Sequence, residues 1–227
     1  MLRKRAQPTL APRKLPTQAR ARRTYRAIVE AGARVLERQG YEALTTNHVA
    51  DVAGVGIASL YEYFPNKHAL VAEVVRHVLD ELLVDLGAST QLITTSPREA
   101  ATRLWLGAMY AAVAKRRGVV RVIAQEVPFL WQIPAVDNAR TLLLALARST
   151  RDLGVKTGGT APLSDAMIYL LATMTGSAVL EAVLRPPPGH SPDELITALA
   201  ELVDRVAGRS PAPARPRQRR GRARAGA

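Results

Sequence analysis

Apolar residues along this chain recur at spacings of three and four, and strand-like alternation is lacking. The stretch ARRTYRAIVEAGARVLERQGY places Ile28, Ala31, Val35 and Leu36 on one helical stripe and stops at Gly40. In LTTNHVADVAGV, Thr45 is positioned to cap a helix carrying Val49, Val52 and Ala53. A short helix over 57–64 follows, opened by Gly54 and Gly56 and closed by Pro65. A longer one begins near Asn66 and runs to Gly87. Further apolar helical patterns cover 97–117, 119–127, 134–153, 162–184 and 191–207, separated by glycine and proline breaks. The pattern predicts an all-α chain: a small N-terminal helical domain over 20–66, joined by one long helix to a larger helical domain over 67–207.

Charge changes this picture at the two ends. Residues 1–26 hold nine Lys/Arg and no acid, and 209–227 hold seven Arg and no acid. That leaves 16 of the 32 basic residues facing all 19 acids in 27–208, a net charge of −3. Residues 1–19 and 208–227 therefore read as disordered basic arms, suited to polyanions or merely to solubility. With no cysteine, disulfides and thiolate chemistry are excluded. The uncharged run Ala166–Leu180 is shorter than the roughly 20 residues that span a bilayer. The chain reads as soluble and cytoplasmic, with no membrane partner. His48, His68, His77 and His190 lack metal-ligand or triad spacing, and no phosphate-binding glycine loop is present. Neither enzymatic activity nor a cofactor or metal is expected.

Residues 46–64 form one unit. Ala50 lets two helices cross closely, Gly54 supplies a positive φ, and Val55 and Leu60 pack the corner. This is the pattern of a DNA-binding helix–turn–helix, whose second helix enters the major groove. With its flanks, ALTTNHVADVAGVGIASLYEYFPNKHAL after a helix ending in ERQGY resembles the N-terminal domain of the TetR family of transcriptional regulators, over about residues 20–75. One departure is Gly56, where the family places a polar cap at the start of the recognition helix.

On a helical wheel over 57–64, Leu60 and Phe64 face the core with Ile57 nearby, while Tyr61 and Tyr63 fall on its borders. Each tyrosine ring can pack while its hydroxyl reaches a phosphate, and Lys67 adds a cation near backbone N–H groups. The resemblance implies backbone contacts at Tyr61, Tyr63 and Lys67, and a phosphate contact at Thr46. Thr45, Thr46 and Asn47 open the preceding helix as caps or phosphate ligands. Ile57, Ala58 and Ser59 are the candidates for touching bases. Glu62 either accepts from a cytosine amino group or stays solvated. Arg20, Arg22 and Arg23 either reach phosphates or the minor groove, or form a solvated helix start.

The resemblance also implies a homodimer joined through helices 162–184 and 191–207, a palindromic double-stranded operator and a small-molecule effector that releases it. Helix 162–184 is apolar almost all round and is expected to be buried on more than one side. Trp105, Met109, Tyr110, Phe129, Trp131, Met167, Tyr169 and Met174 either pack as core or line a pocket for an apolar or aromatic ligand. The expected function is a ligand-responsive regulator, read as a repressor. The alternative is a non-specific architectural DNA binder driven by the basic tails.

Overall fold

The computed structural model describes residues 8–96, 98–156 and 163–208, and among them nine α-helices and no strand. Helix α1 spans Ala19–Ala43, α2 Thr46–Ala53, α3 Ile57–Tyr63, α4 Lys67–Thr95 and α5 Arg98–Ala114. Helix α6 spans Arg117–Glu126, α7 Pro134–Lys156, α8 Asp165–Leu184 and α9 Pro192–Val206, with a 3₁₀ turn at Leu130–Gln132. The stops anticipated from sequence act locally as expected. Gly40 leaves helical geometry at φ 79°, and Gly54 takes the left-handed conformation at φ 68°. The Thr45 hydroxyl accepts from the His48 N–H at 3.2 Å. Helix α4 runs past Gly87 to Thr95, because nothing at Gly87 caps it and its φ is not left-handed.

The main core crosses the boundary expected between 66 and 67. Ile28, Leu36, Val49 and Leu60 of the first three helices, with Phe64 just after α3, pack with Leu70, Val71, Val74 and Val75 of α4 and with Val119, Val122 and Ile123 of α6. Gly32 allows this close approach: a Cβ there would stand 2.9 Å from Val74 Cγ2. A smaller cluster of Leu106, Val179 and Ala200 joins α5, α8 and α9. Across α5 and α9 the Thr102 hydroxyl donates to Asp204 at 2.6 Å, buried. Helix α9 opens with Pro192 behind a capping box in which Ser191 and Glu194 each accept from the other's N–H.

Helix α8 departs from its expectation. Met167, Tyr169, Leu170 and Met174 are exposed, and only one stripe of Ile168, Val179, Val183 and Leu184 is buried. Its uniform hydrophobicity is thus not satisfied within one chain. By length and composition it is the one helix among the described residues able to cross a membrane, although its uncharged run is shorter.

Residues 8–18 depart as well. They were expected to be disordered, and instead Leu10 packs on the main core. The remainder of the basic ends, 1–7 and 209–227, lies outside the described residues.

Candidate nucleic-acid interface

The turn between α2 and α3 is set by backbone chemistry. Gly54 N–H bonds back to the Ala50 and Asp51 carbonyls, and Val55 N–H to Ala50 at 3.0 Å. Gly56 then starts α3 in extended geometry without a side-chain cap. Leu60 and Phe64 are fully buried and hold this seven-residue helix against α1 and α2. A helix so short is not stable alone. Its exposed side is therefore oriented by the core beneath it.

That side carries Ile57 and Ala58, both exposed, with Ser59 half-buried. Ile57 was expected near the core and is instead 38% exposed, because Leu60 and Phe64 already fill the contact with α1. Tyr61 is also exposed, and its hydroxyl lies 3.0 Å from the Thr46 hydroxyl at the start of α2. This bond brings the openings of the two helices into one polar edge. Thr45 and Asn47 are exposed beside it, Thr45 with its hydroxyl committed to capping. His48 faces back to α1, 3.1 Å from Gln39.

Two expected backbone ligands have other partners. Tyr63 is buried rather than at a border, with its ring edge-on to Tyr25 at 5.4 Å. Lys67 donates to the Glu42 carbonyl at 3.0 Å and sits 4.3 Å above the Tyr41 ring, closing the C-terminal end of α1. Arg20, Arg22 and Arg23 are exposed near the start of α1. Residues not singled out from sequence complete the edge. Lys14 on the arm reaches Glu62 at 2.9 Å, and the Arg13 N–H donates to the Tyr63 carbonyl at 2.7 Å. The only sequence signal for them was the positive charge of the arm.

Behind this edge, charged groups tie α4 to the turn between α5 and α6. Arg116, its side chain mostly buried, bonds Glu81 at 2.9 Å and Asp85 at 2.6 Å. The Arg116 and Lys115 bonds hold the Asp85 carboxyl below the ordinary range. Glu126 accepts from the Tyr41 N–H at 2.9 Å, linking α6 to the end of α1. Buried Glu73 pairs with Arg76 at 2.5 Å, and burial, with Glu73 close by, pushes the Tyr25 hydroxyl far above its usual range. No group of three metal-ligating side chains occurs among the described residues.

The large side chains of the C-terminal helices do not assemble into the pocket expected from sequence. Trp131 is 82% exposed, Met167 and Met174 lie on the outer face of α8, and Phe129 is buried in the main core between Tyr41 and His68. Only Trp105, Met109 and Tyr110 remain together, around the small Leu106 cluster. Helical spacing placed each on a face without saying which faces meet. A groove of about 390 Å³ lies elsewhere, between the arm at Leu10–Pro12, α4 and α7.

Residues 28–74 match the family model of bacterial regulatory proteins, tetR family. The chain is 32% identical over 128 residues to the HTH-type transcriptional repressor KstR2 of Mycolicibacterium smegmatis, and 29% identical over 126 residues to the HTH-type transcriptional regulator BetI of Rhizobium meliloti. Each match covers 56% of this chain and 60% of the relative. The fold is similar to that of the fatty acid degradation regulator FadR from Bacillus halodurans, with a TM-score of 0.64, 15% identity, and coverage of 83% of this chain and 96% of that one.

Proposed function

We propose that this chain, whose residues 28–74 match the family model of bacterial regulatory proteins, tetR family, is a homodimeric repressor of that kind, bound to a palindromic operator and released by a small effector. The observation that carries the reading is the polar edge joining Thr46 to Tyr61 beside the exposed Ile57–Ser59 face. Hydroxyls there suit phosphate oxygens, whereas Ile57 and Ala58 suit thymine methyls and Ser59 offers the polar reader. Two such helices must stand about 34–36 Å apart to enter successive major grooves.

Dimerisation through α8 and α9 is supported by the exposed apolar residues Leu170, Met174, Leu202 and Val206, which a second copy would cover. The effector is a small apolar molecule. The groove between α4 and α7 offers Leu79, Leu83, Ile133 and Leu142 as walls, with Glu73 and Arg76 at a polar end. Widening it would displace α4, which leads directly from α3 and is tied through Arg116 to the turn that opens α6. Differential affinity for the two spacings supplies the switching energy.

Selection of genomic fragments at fixed salt, by the whole chain and by a form lacking 209–227, tests the reading. A two-fold-symmetric motif retained by the shortened form is expected. Enrichment without a motif, lost with the tail, would make the protein a non-specific architectural binder instead.

A further inference from the structure

The arm reaches the recognition helix already fixed in place. Leu10 rests on the main core, and with Ala11 and Pro12 it walls the groove against α4 and α7. At Arg13 the backbone N–H meets the Tyr63 carbonyl, one of those that the end of α3 leaves without a helical partner. Lys14 follows, with its ammonium 2.9 Å from Glu62 and 5.4 Å from the centre of the Tyr63 ring. An exposed ion pair usually contributes little, since two long side chains must be held in one geometry. Here the backbones on both sides are anchored beforehand, α3 by Leu60 and Phe64 and the arm by Leu10 and Arg13. Only side-chain freedom remains to be lost.

Glu62 is the sole acid in α3. When that helix lies in a groove, its exposed groups stand within about a Debye length, ~8 Å at physiological salt, of the phosphates. A bare carboxylate there opposes binding to every sequence. We propose that Lys14 is a positioning residue for DNA recognition: by pairing with Glu62 it cancels the one negative charge on the recognition helix and draws that carboxylate toward the arm. Residues Ile57 to Tyr61 then read DNA without it. Releasing Glu62 has two consequences, a general repulsion and a new acceptor able to favour cytosine amino groups. The inference rests on α3 being the recognition helix.

The test is a double-mutant cycle in the whole chain, using a duplex obtained by genomic selection and equilibrium binding at two salt concentrations. Lys14→Ala is expected to weaken binding about two- to ten-fold, and Lys14→Arg to retain it. Glu62→Gln binds at least as tightly as the unaltered protein. In the Glu62→Gln background, Lys14→Ala is expected to have no further effect. The proposal is overturned if Lys14→Ala is silent on its own. It is equally overturned if the loss persists with Glu62→Gln and the salt slope falls by about one, since Lys14 would then touch a phosphate itself. If the unaltered protein selects no duplex, the regulator reading fails and this inference falls with it. Selection without coupling removes this inference alone.

Discussion

Replacing Gly40 with alanine probes the junction between the first three helices and α6. Gly40 sits at φ 79°, ψ 175°, a region almost reserved for glycine, and holding another residue there costs about 1–3 kcal/mol. A Cβ would also stand 2.4 Å from Glu126 Oε2, the atom that accepts from the Tyr41 N–H. Moving that carboxylate forfeits a hydrogen bond to a charged acceptor, worth about 1.5–3 kcal/mol. Because the Glu126 side chain is 36% exposed and can find water, the lower end applies. The sum is about 3 kcal/mol, or roughly 6–12 °C in melting temperature for a chain of this size. Gly54→Ala is the internal control. It has φ 68° but nothing within 4 Å of a Cβ, and should cost only about 1 kcal/mol. Urea unfolding of both variants, and of Gly40→Ala combined with Glu126→Ala, separates the two causes. In the combined variant only the backbone strain should remain to be charged to Gly40→Ala. If Gly40→Ala costs no more than Gly54→Ala, the close approach of α6 to α1 is not a constraint, and the coupling described above is wrong.

Other expectations are more direct. Tyr61→Phe removes the hydroxyl bonded to Thr46 and should weaken binding to all sequences about three- to ten-fold, while Ser59→Ala should change preference at particular base pairs. Equal effects of both on matched and mismatched duplexes would remove that division of roles. Glutamate at Leu170 and Met174, both exposed in one chain, should halve the mass seen by sedimentation while leaving helicity intact. An unchanged mass would exclude this face of α8 from the dimer. For Asp85 the folded carboxyl lies below its ordinary value of 3.8 because Arg116 and Lys115 bond its ionised form. Its contribution is therefore complete above that value and fades as pH falls through the folded one. The stability difference between the unaltered protein and Asp85→Asn should be flat from about pH 7 to 5 and shrink below about pH 4. A gap that persists to pH 2 would mean the ion pair is not its source.

Much of the fold was legible because its determinants are neighbours in the chain. The cap at Thr45, the left-handed turn at Gly54, the break at Gly40 and the start of α9 at Ser191 depend on atoms a few residues away. Helical periodicity likewise placed Leu60 and Phe64 inside, since a short helix crossing a core must bury the residues on its apolar stripe. The helix–turn–helix could be read at that level, and with it the region where DNA would be met.

Borders and distant partners could not. Tyr61 and Tyr63 sit symmetrically on the wheel of α3, yet one is exposed and the other buried, because Tyr25 of α1 arrives against only one of them. Lys67 turned to the end of α1, where Glu42 and Tyr41 offered a carbonyl and a ring face. The large side chains of the C-terminal helices had the right composition for a pocket, but which faces meet is decided by how helices far apart in sequence cross. So too with the arm: its charges were plain in the sequence, whereas its docking depends on a groove formed by α4 and α7 and on an unpaired carbonyl at the end of α3. Local chain geometry determined the elements and their caps. Only the packing of remote segments decided which half-exposed side chains stay at the surface.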